Sequence, residues 1–245
     1  MLYDHPDLYD EQYKHYRDDL SFYTRLADDY GSPVLELGAG TGRVTAALAK
    51  AGHRVTGLEL SPAMVSKAQS RLQSEGLGKH VTLVQGDMRS FELEKTFNLV
   101  IAPFNAFMHL YTLQAQDETL SRIRQHLSED GVFACDLYNP HFGALETLQR
   151  EDEWDHVGGD AADLFVYQSH DADKQLVTSR YYLDKISEDG TLKRERVTLT
   201  QRYYTRFEFE RALAQNGFSH VRFYGHFDRR PYSREDPHLI AIAKR

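Results

Sequence analysis

The sequence is short of cysteine: Cys135 stands alone among 245 residues. An internal disulfide is excluded, and a reducing, cytoplasmic setting is the expectation. The residue sits in the apolar run GVFACDL. That run reads as a buried strand and makes the thiol a core group rather than a nucleophile. Long apolar runs are missing too. No stretch approaches the ~20 apolar residues that a membrane span needs. The opening residues, MLYDHPDLYDEQY, are acidic and aromatic with no apolar leader. Basic tracts are also lacking: 29 Lys and Arg face 37 Asp and Glu, for a net charge of -8. Neither nucleic acid nor an anionic membrane is therefore an expected partner. What remains is 41% hydrophobic and 27% charged. That composition and length suit one globular domain with an appended subdomain.

Along the chain, Tyr13, Tyr16, Leu20, Tyr23 and Leu26 fall at helical spacing, so a helix is expected over 11–30, ended by Gly31 and Pro33. Strands and helices then alternate. The pattern predicts strands over 34–37, 54–60, 81–85, 97–102 and 131–137, and helices over 43–51, 62–76 and 116–127. Ser61 and Pro62 open the second of these helices as N-cap and first residue. Apolar strands alternating with helices imply an α/β fold whose parallel sheet is covered on both faces. After about residue 158 the pattern changes to period-2 alternation with turn signals at 171–174 and 189–190. A meander of three antiparallel strands is expected there. A helix over 207–215 and strands near 220–224 and 238–243 close the chain. The expected division is an aromatic N-terminal cap (1–30), a main domain (31–150 and 207–245) and an inserted antiparallel subdomain (151–206). The insertion is too small to hold a core alone.

The stretch VLELGAGTGR, residues 34–43, ends a strand and opens a helix with glycines at 38, 40 and 42. Glycine permits positive φ and close approach of backbone to a ligand, and the helix start offers free N–H groups. Dinucleotide sites need G-x-G-x-x-G at this place. Here the third glycine comes one position early, and Arg43 stands where the last one belongs. Three acids accompany the loop: Glu36 inside the first strand, Glu59 at the end of the second, and Asp87 after the third. A carboxylate at the Glu59 position can accept hydrogen bonds from both hydroxyls of a ribose, and one at Asp87 can recognise an adenine amino group. In an open parallel sheet these strand ends line one crevice.

As a set, ELGAGTG (36–42), GLELSPAM (57–64), QGDMRSF (85–91), IAPFNAFMHL (101–110) and LSEDGVFACDLYNP (127–140) resemble the motifs of the class I S-adenosylmethionine-dependent methyltransferases. The likeness covers residues 30–140. It is nearest to small-molecule N-methyltransferases, such as the aminosugar N,N-dimethyltransferases and glycine N-methyltransferases. It implies a Rossmann-like, mostly parallel seven-stranded sheet with the last strand antiparallel. It also implies S-adenosylmethionine as cofactor and S-adenosylhomocysteine as product. Gly38, Ala39, Gly40 and Gly42 would pack by the methionine part, with Glu36 near its ammonium. Glu59 would hold the ribose, with Leu60 and Met64 beside it. Asp87 and Met88 would flank the adenine, and Pro103 and Phe104 would complete the cofactor wall. This cofactor has no pyrophosphate, so the dinucleotide spacing is not required. Two other readings remain: a nicotinamide-dependent oxidoreductase, disfavoured by the glycine spacing, and a non-catalytic module that keeps the cofactor pocket.

Methyl transfer needs alignment, a dry site and an unprotonated nucleophile. For an amine a strong base is optional. His109, in the segment after the fourth strand, could accept or orient a substrate proton, or simply pack in a short helix. Tyr9 and Tyr13, in a segment crowded with tyrosines, could place a hydroxyl near the sulfonium or the acceptor. They could equally form a helix face on the sheet. Asn105, Tyr138 and His141 follow strand ends and are candidates for acceptor contact. Arg229, Arg230 and Tyr232, in the loop between the last two strands, could hold an anionic group. Asp136 has no partnering acid at suitable spacing, so no metal is expected. The acceptor is expected to be a small molecule. The apolar face of the meander covers either the pocket or a partner subunit, the latter making a homodimer.

Overall fold

The structure is a computed structural model and describes residues 1–147, 154–159, 162–187 and 189–245. The main sheet is built from β1 (Val34–Leu37), β2 (Val55–Glu59), β3 (Val81–Gln85), β4 (Phe97–Ala102), β5 (Leu127–Tyr138), β10 (Ser219–Tyr224) and β11 (His238–Lys244). Its order is β10-β11-β5-β4-β1-β2-β3. The first five strands are parallel, and β11 runs antiparallel to both neighbours. β10 therefore points the same way as the first five, and the last strand alone is reversed. The chain order reverses beside β1. The loops after β1, β2, β3 and β4 consequently meet at one edge, the usual place for a ligand in an open α/β sheet.

β4 shows why the central strands are mostly apolar. Val100 and Ala102 face one core layer with Phe107, Phe133, Tyr204 and Phe209, next to α5 (Leu113–His126) and α7 (Arg206–Gln215). Leu99 and Ile101 face the other, with Phe22, Leu26, Val44 and Leu48 of α2 (Leu20–Tyr30) and α3 (Arg43–Lys50). With both faces buried, no polar alternation survives. On the flank, α4 (Pro62–Ser74) opens as its sequence predicts. The Ser61 hydroxyl caps it by accepting from Met64 N at 3.3 Å.

Two expectations need correction. The N-terminal helix is not continuous over 11–30. α1 (Pro6–Gln12) ends at Tyr13, and α2 restarts at Leu20. The break lets the Tyr13 and Tyr16 rings both reach Phe104, at 4.9 and 4.7 Å between centroids. It also places buried Asp19 against Arg43. Tertiary contacts outweigh helical spacing here. The inserted sheet has four antiparallel strands, not three, in the order β6 (Trp154–Gly159), β7 (Ala162–Asp171), β8 (Leu176–Ile186) and β9 (Leu192–Arg202). The first of these, WDHVGG, ends in two glycines and lacks the β-branched alternation that marks the others. It follows α6 (Phe142–Thr147), a short helix the periodicity did not signal. The two turns fall where expected: Asp171 Oδ1 accepts from Lys174 N, and Asp189 Oδ1 from Thr191 N.

The apolar face of the inserted sheet does not cover the main sheet directly. Tyr181, Val197 and Leu199, with Leu164 and Val166, pack on Leu2, Tyr3, Leu8, Tyr9 and Tyr13. The N-terminal segment is thus held between the inserted sheet and the loops at the ligand edge.

Candidate active site

Gly38, Gly40 and Gly42 all adopt positive φ, at 70°, 57° and 80°. At Gly38 the requirement is double, because a Cβ would lie 2.9 Å from the Ala106 Cβ. The loop is clamped from β2: Gly38 N and Ala39 N donate to Leu58 O, and Gly40 N donates to Glu59 Oε2 at 2.9 Å. The other Glu59 oxygen accepts from Ser61 N at 2.8 Å. Burial raises the Glu59 pKa above the ordinary glutamate value, and these backbone donors pull it part of the way back. Beyond β3, Asp87 is held by the Arg89 guanidinium, which lowers its pKa.

After β4 the chain turns through two left-handed non-glycine residues, Phe104 (φ 53°) and Asn105 (φ 63°). A 3-10 turn, Ala106–His109, follows. His109 Nε2 lies 2.6 Å from the Tyr3 hydroxyl. Burial pushes the imidazole pKa down to about 4, against a smaller upward pull from the Thr200 carbonyl on β9. The ring is therefore neutral near pH 7. In the tautomer protonated at Nδ1, Nε2 carries the lone pair and accepts from Tyr3. Tyr111 donates to the same Thr200 carbonyl at 2.8 Å.

These pieces surround one cavity of about 420 Å³ at the ligand edge. Of the residues singled out in the sequence, Gly38, Gly40, Glu59 and Leu60 line it on one side, and Asp87, Met88, Pro103 and Phe104 on another. Tyr9 and His109 reach it from the N-terminal roof and the 3-10 turn. The rest do not line it. Glu36 is buried beneath the loop, bonded to the Thr45 hydroxyl, with its pKa pushed up to about 8 by burial. Ala39 and Met64 are core residues, and a Cβ on Gly42 would press on Ala68 of α4. Tyr13 lies behind Tyr9 and hydrogen-bonds Tyr181. Asn105 Oδ1 accepts from Tyr138 N, which fixes the loop and not a ligand. His141 pairs with Glu235 at 3.8 Å. In the last loop, Arg229 pairs with Asp29, Arg230 with Asp228, and Tyr232 donates to Asn139, so this cluster straps the loop to its neighbours. Tyr3, Arg89 and Tyr111 line the cavity, yet no role was assigned to them from sequence. The signals for them were Tyr3's place in the tyrosine-rich opening and Arg89's place in QGDMRSF.

The chemistry of the lining fits an adenosyl amino acid. The glycine cradle leaves room for a close ligand, Glu59 can accept from a ribose, and the walls at Leu58, Leu60, Met88 and Leu110 are apolar. Among the described lining side chains Glu59 and Asp87 are acidic and Arg89 basic, an excess of one negative charge that suits a cationic ligand.

A model for the methyltransferase domain matches residues 34–131. The chain is 39% identical over 147 residues to an uncharacterised methyltransferase of Geobacillus thermodenitrificans; the match takes in 58% of this chain and just under two thirds, 64%, of that protein. To a second, from Geobacillus sp., it is 36% identical over 161 residues, covering 62% of this chain and 71% of the relative. The chain belongs to the S-adenosylmethionine-dependent methyltransferases. S-adenosylmethionine is its cofactor, and the nicotinamide reading is set aside. This methyltransferase is also 27% identical over 209 residues to the dTDP-3-amino-3,6-dideoxy-alpha-D-glucopyranose N,N-dimethyltransferase of Streptomyces fradiae, covering 82% of this chain and 75% of the relative. Its fold is that of the CcbJ methyltransferase from Streptomyces caelestis, with TM-score 0.80 and 24% identity over 95% of this chain and 94% of that one. Among the described residues no helix is long and apolar enough to cross a membrane.

Proposed function

We propose that this methyltransferase transfers a methyl group to an amine nitrogen of a small-molecule acceptor of the aminosugar kind. The observation that carries the reading is the His109–Tyr3 pair: two uncharged side chains joined at 2.6 Å, at the wall of the cavity that fits the cofactor. The aminosugar N,N-dimethyltransferase among the relatives supports the choice of nitrogen. Bound S-adenosylmethionine would supply a methyl group on a sulfonium, with a neutral thioether as leaving group. Gly38 and Gly40 would admit its amino-acid part, Glu59 its ribose, and Asp87 with Met88 its adenine. Tyr3 and Tyr9 close the roof and exclude water. The Tyr3 hydroxyl occupies the His109 Nε2 lone pair, so the Tyr3 oxygen would accept an amine N–H and leave the amine lone pair facing the cofactor's methyl group. The buried imidazole, its pKa near 4, stays neutral and draws no full proton. An amine brings its own lone pair, and a weak base suffices. A sugar hydroxyl would have to lose its proton as it reacts, and so depleted a base serves it poorly.

The test offers the enzyme a 3-amino sugar nucleotide and its 3-hydroxy counterpart and follows release of S-adenosylhomocysteine. Methylation of the amine with the hydroxyl compound inert is the expected result. Equal methylation of the hydroxyl compound would refute the nitrogen assignment. Cofactor binding with no turnover across a panel of amines would favour the non-catalytic module.

A further inference from the structure

Phe104 and Asn105 are consecutive residues with side chains, both in the left-handed region. Such a conformation costs of order 1–3 kcal/mol per residue and persists only where the surroundings fix it. Here the surroundings are explicit. The buried Asp136 carboxylate, on β5, accepts from Phe104 N at 2.8 Å through Oδ1, and the same oxygen accepts from the Tyr23 hydroxyl at 2.5 Å. The Asp136 carbonyl accepts from Asn105 N, and the Asn105 side chain returns the contact by accepting from Tyr138 N. Both residues of the turn are thus tied to the end of β5, and two of the ties come from one residue.

The turn presents the Phe104 ring. Tyr13 and Tyr16 pack on that ring at 4.9 and 4.7 Å, and Tyr9 stands edge-on at 6.4 Å. The Arg43 guanidinium, gripped by both oxygens of Asp19, lies over the rings of Tyr16 and Phe104. Phe104 also lines the cofactor cavity. One ring is therefore both wall of the site and seat of the segment that roofs it. We infer that Asp136 is a positioning residue for cofactor binding: by holding the left-handed Phe104–Asn105 turn it sets the ring on which the N-terminal tyrosines close the cavity. Nothing in the transfer chemistry explains a carboxylate buried here. The groups facing it are Tyr23 and Asp19 of the α2 region, Arg43 of α3, Cys135 beside it and Tyr16 of the roof. None lines the cavity. The inference rests on the reading of the cavity as the S-adenosylmethionine site.

The test compares wild type with Asp136→Asn, Asp136→Leu and Phe104→Leu. S-adenosylhomocysteine affinity is read by calorimetry, and hydrogen exchange is followed over residues 6–16. Asparagine keeps an oxygen for Phe104 N and Tyr23, so Asp136→Asn should bind within about threefold of wild type. Asp136→Leu keeps the branched shape and loses the acceptor. It should bind about tenfold or more weakly and lose protection over 6–16. A purely structural role would instead lower the melting temperature of both Asp136 variants and leave exchange over 6–16 in step with the whole chain. Phe104→Leu, at a half-buried position, is the variant expected to fold in every case, and it should also lose protection over 6–16. The proposal is overturned if Phe104→Leu keeps both wild-type protection and affinity, or if Asp136→Asn loses as much as Asp136→Leu. If wild type itself does not bind S-adenosylhomocysteine, the site reading fails rather than the positioning role.

Discussion

Replacing Glu59 by glutamine changes one atom and tests the cofactor site at its most charged point. The Glu59 carboxylate offers about four lone-pair sites. Two are taken by Gly40 N at 2.9 Å and Ser61 N at 2.8 Å. The Leu60 N–H also bears on the carboxylate, and the lone pair left over can accept from a ribose hydroxyl without disturbing the glycine loop. A hydrogen bond to a charged group is worth about 1.5–3 kcal/mol. Glutamine keeps one acceptor oxygen but turns an N–H2 toward one of these backbone donors, and it carries no charge. Affinity for S-adenosylhomocysteine should therefore fall by about 1–3 kcal/mol, or roughly 5- to 150-fold. Calorimetry at pH 7.5 measures this directly, and the ligand-free melting temperature reports any damage to the loop. The pH dependence should follow the same group. The ligand favours the ionised carboxylate, and burial raises the Glu59 pKa. Affinity should thus start to fall on acidification at a higher pH than an ordinary glutamate would cause, and E59Q should lack that step. Binding within about twofold of wild type at an unchanged melting temperature would refute the reasoning.

Other outcomes follow from the same geometry. Y3F and H109F should each lower kcat by about 10- to 100-fold while leaving S-adenosylhomocysteine affinity within a few-fold, because the pair serves the acceptor; steady-state kinetics with calorimetry separates the two. The His109 pKa lies below its ordinary 6.5, so its share of stability is present above pH 6.5 and is lost as pH falls toward 4. H109F should therefore melt less steeply with acid than wild type. Glu36 behaves in the opposite sense. Its folded pKa is raised to about 8, so the folded state keeps a proton that the unfolded chain gives up, and its share of stability is lost as pH rises from about 4.5 through 8. E36Q should match wild type near pH 5 and be more stable at pH 9 by an amount on the order of 4 kcal/mol, read by denaturant titration. G38A places a Cβ at 2.9 Å from Ala106 on a backbone with φ of 70°, and should abolish cofactor binding. R229A and R230A, which remove ion pairs outside the cavity, should leave kcat and KM unchanged.

The residues that line the cavity from strand ends were legible in the sequence because strand–loop–helix order fixes where a strand end lies. Glycine at 38 and 40 and acids at 59 and 87 cannot stray far from it. The same logic failed where side-chain direction decides. Glu36 lies in the right strand and points under the loop, toward Thr45. Tyr13 is next to the right segment and points to the inserted sheet. Arg229 and Arg230 leave the right edge of the sheet, but each is captured by a nearby aspartate. Contacts between residues far apart in sequence were the least legible. Tyr3 meets His109 across 106 residues, and Tyr23 meets Asp136 across 113. No local pattern encodes either pairing. The inserted sheet was recognised from its alternation and turns, but its apolar face carries no sign of what it covers. Only the packing of Tyr181, Val197 and Leu199 on the N-terminal segment gives that answer.

The measurement that tests the central claim most directly is a crystal structure of the protein with S-adenosylhomocysteine bound. The account predicts a ribose hydroxyl on the Glu59 carboxylate, the adenine beside Asp87 and Met88, and the sulfur facing the His109–Tyr3 pair across an open path for an amine. A ligand lodged elsewhere, or a sulfur turned away from His109 with Tyr3 still closing the way between them, would contradict it.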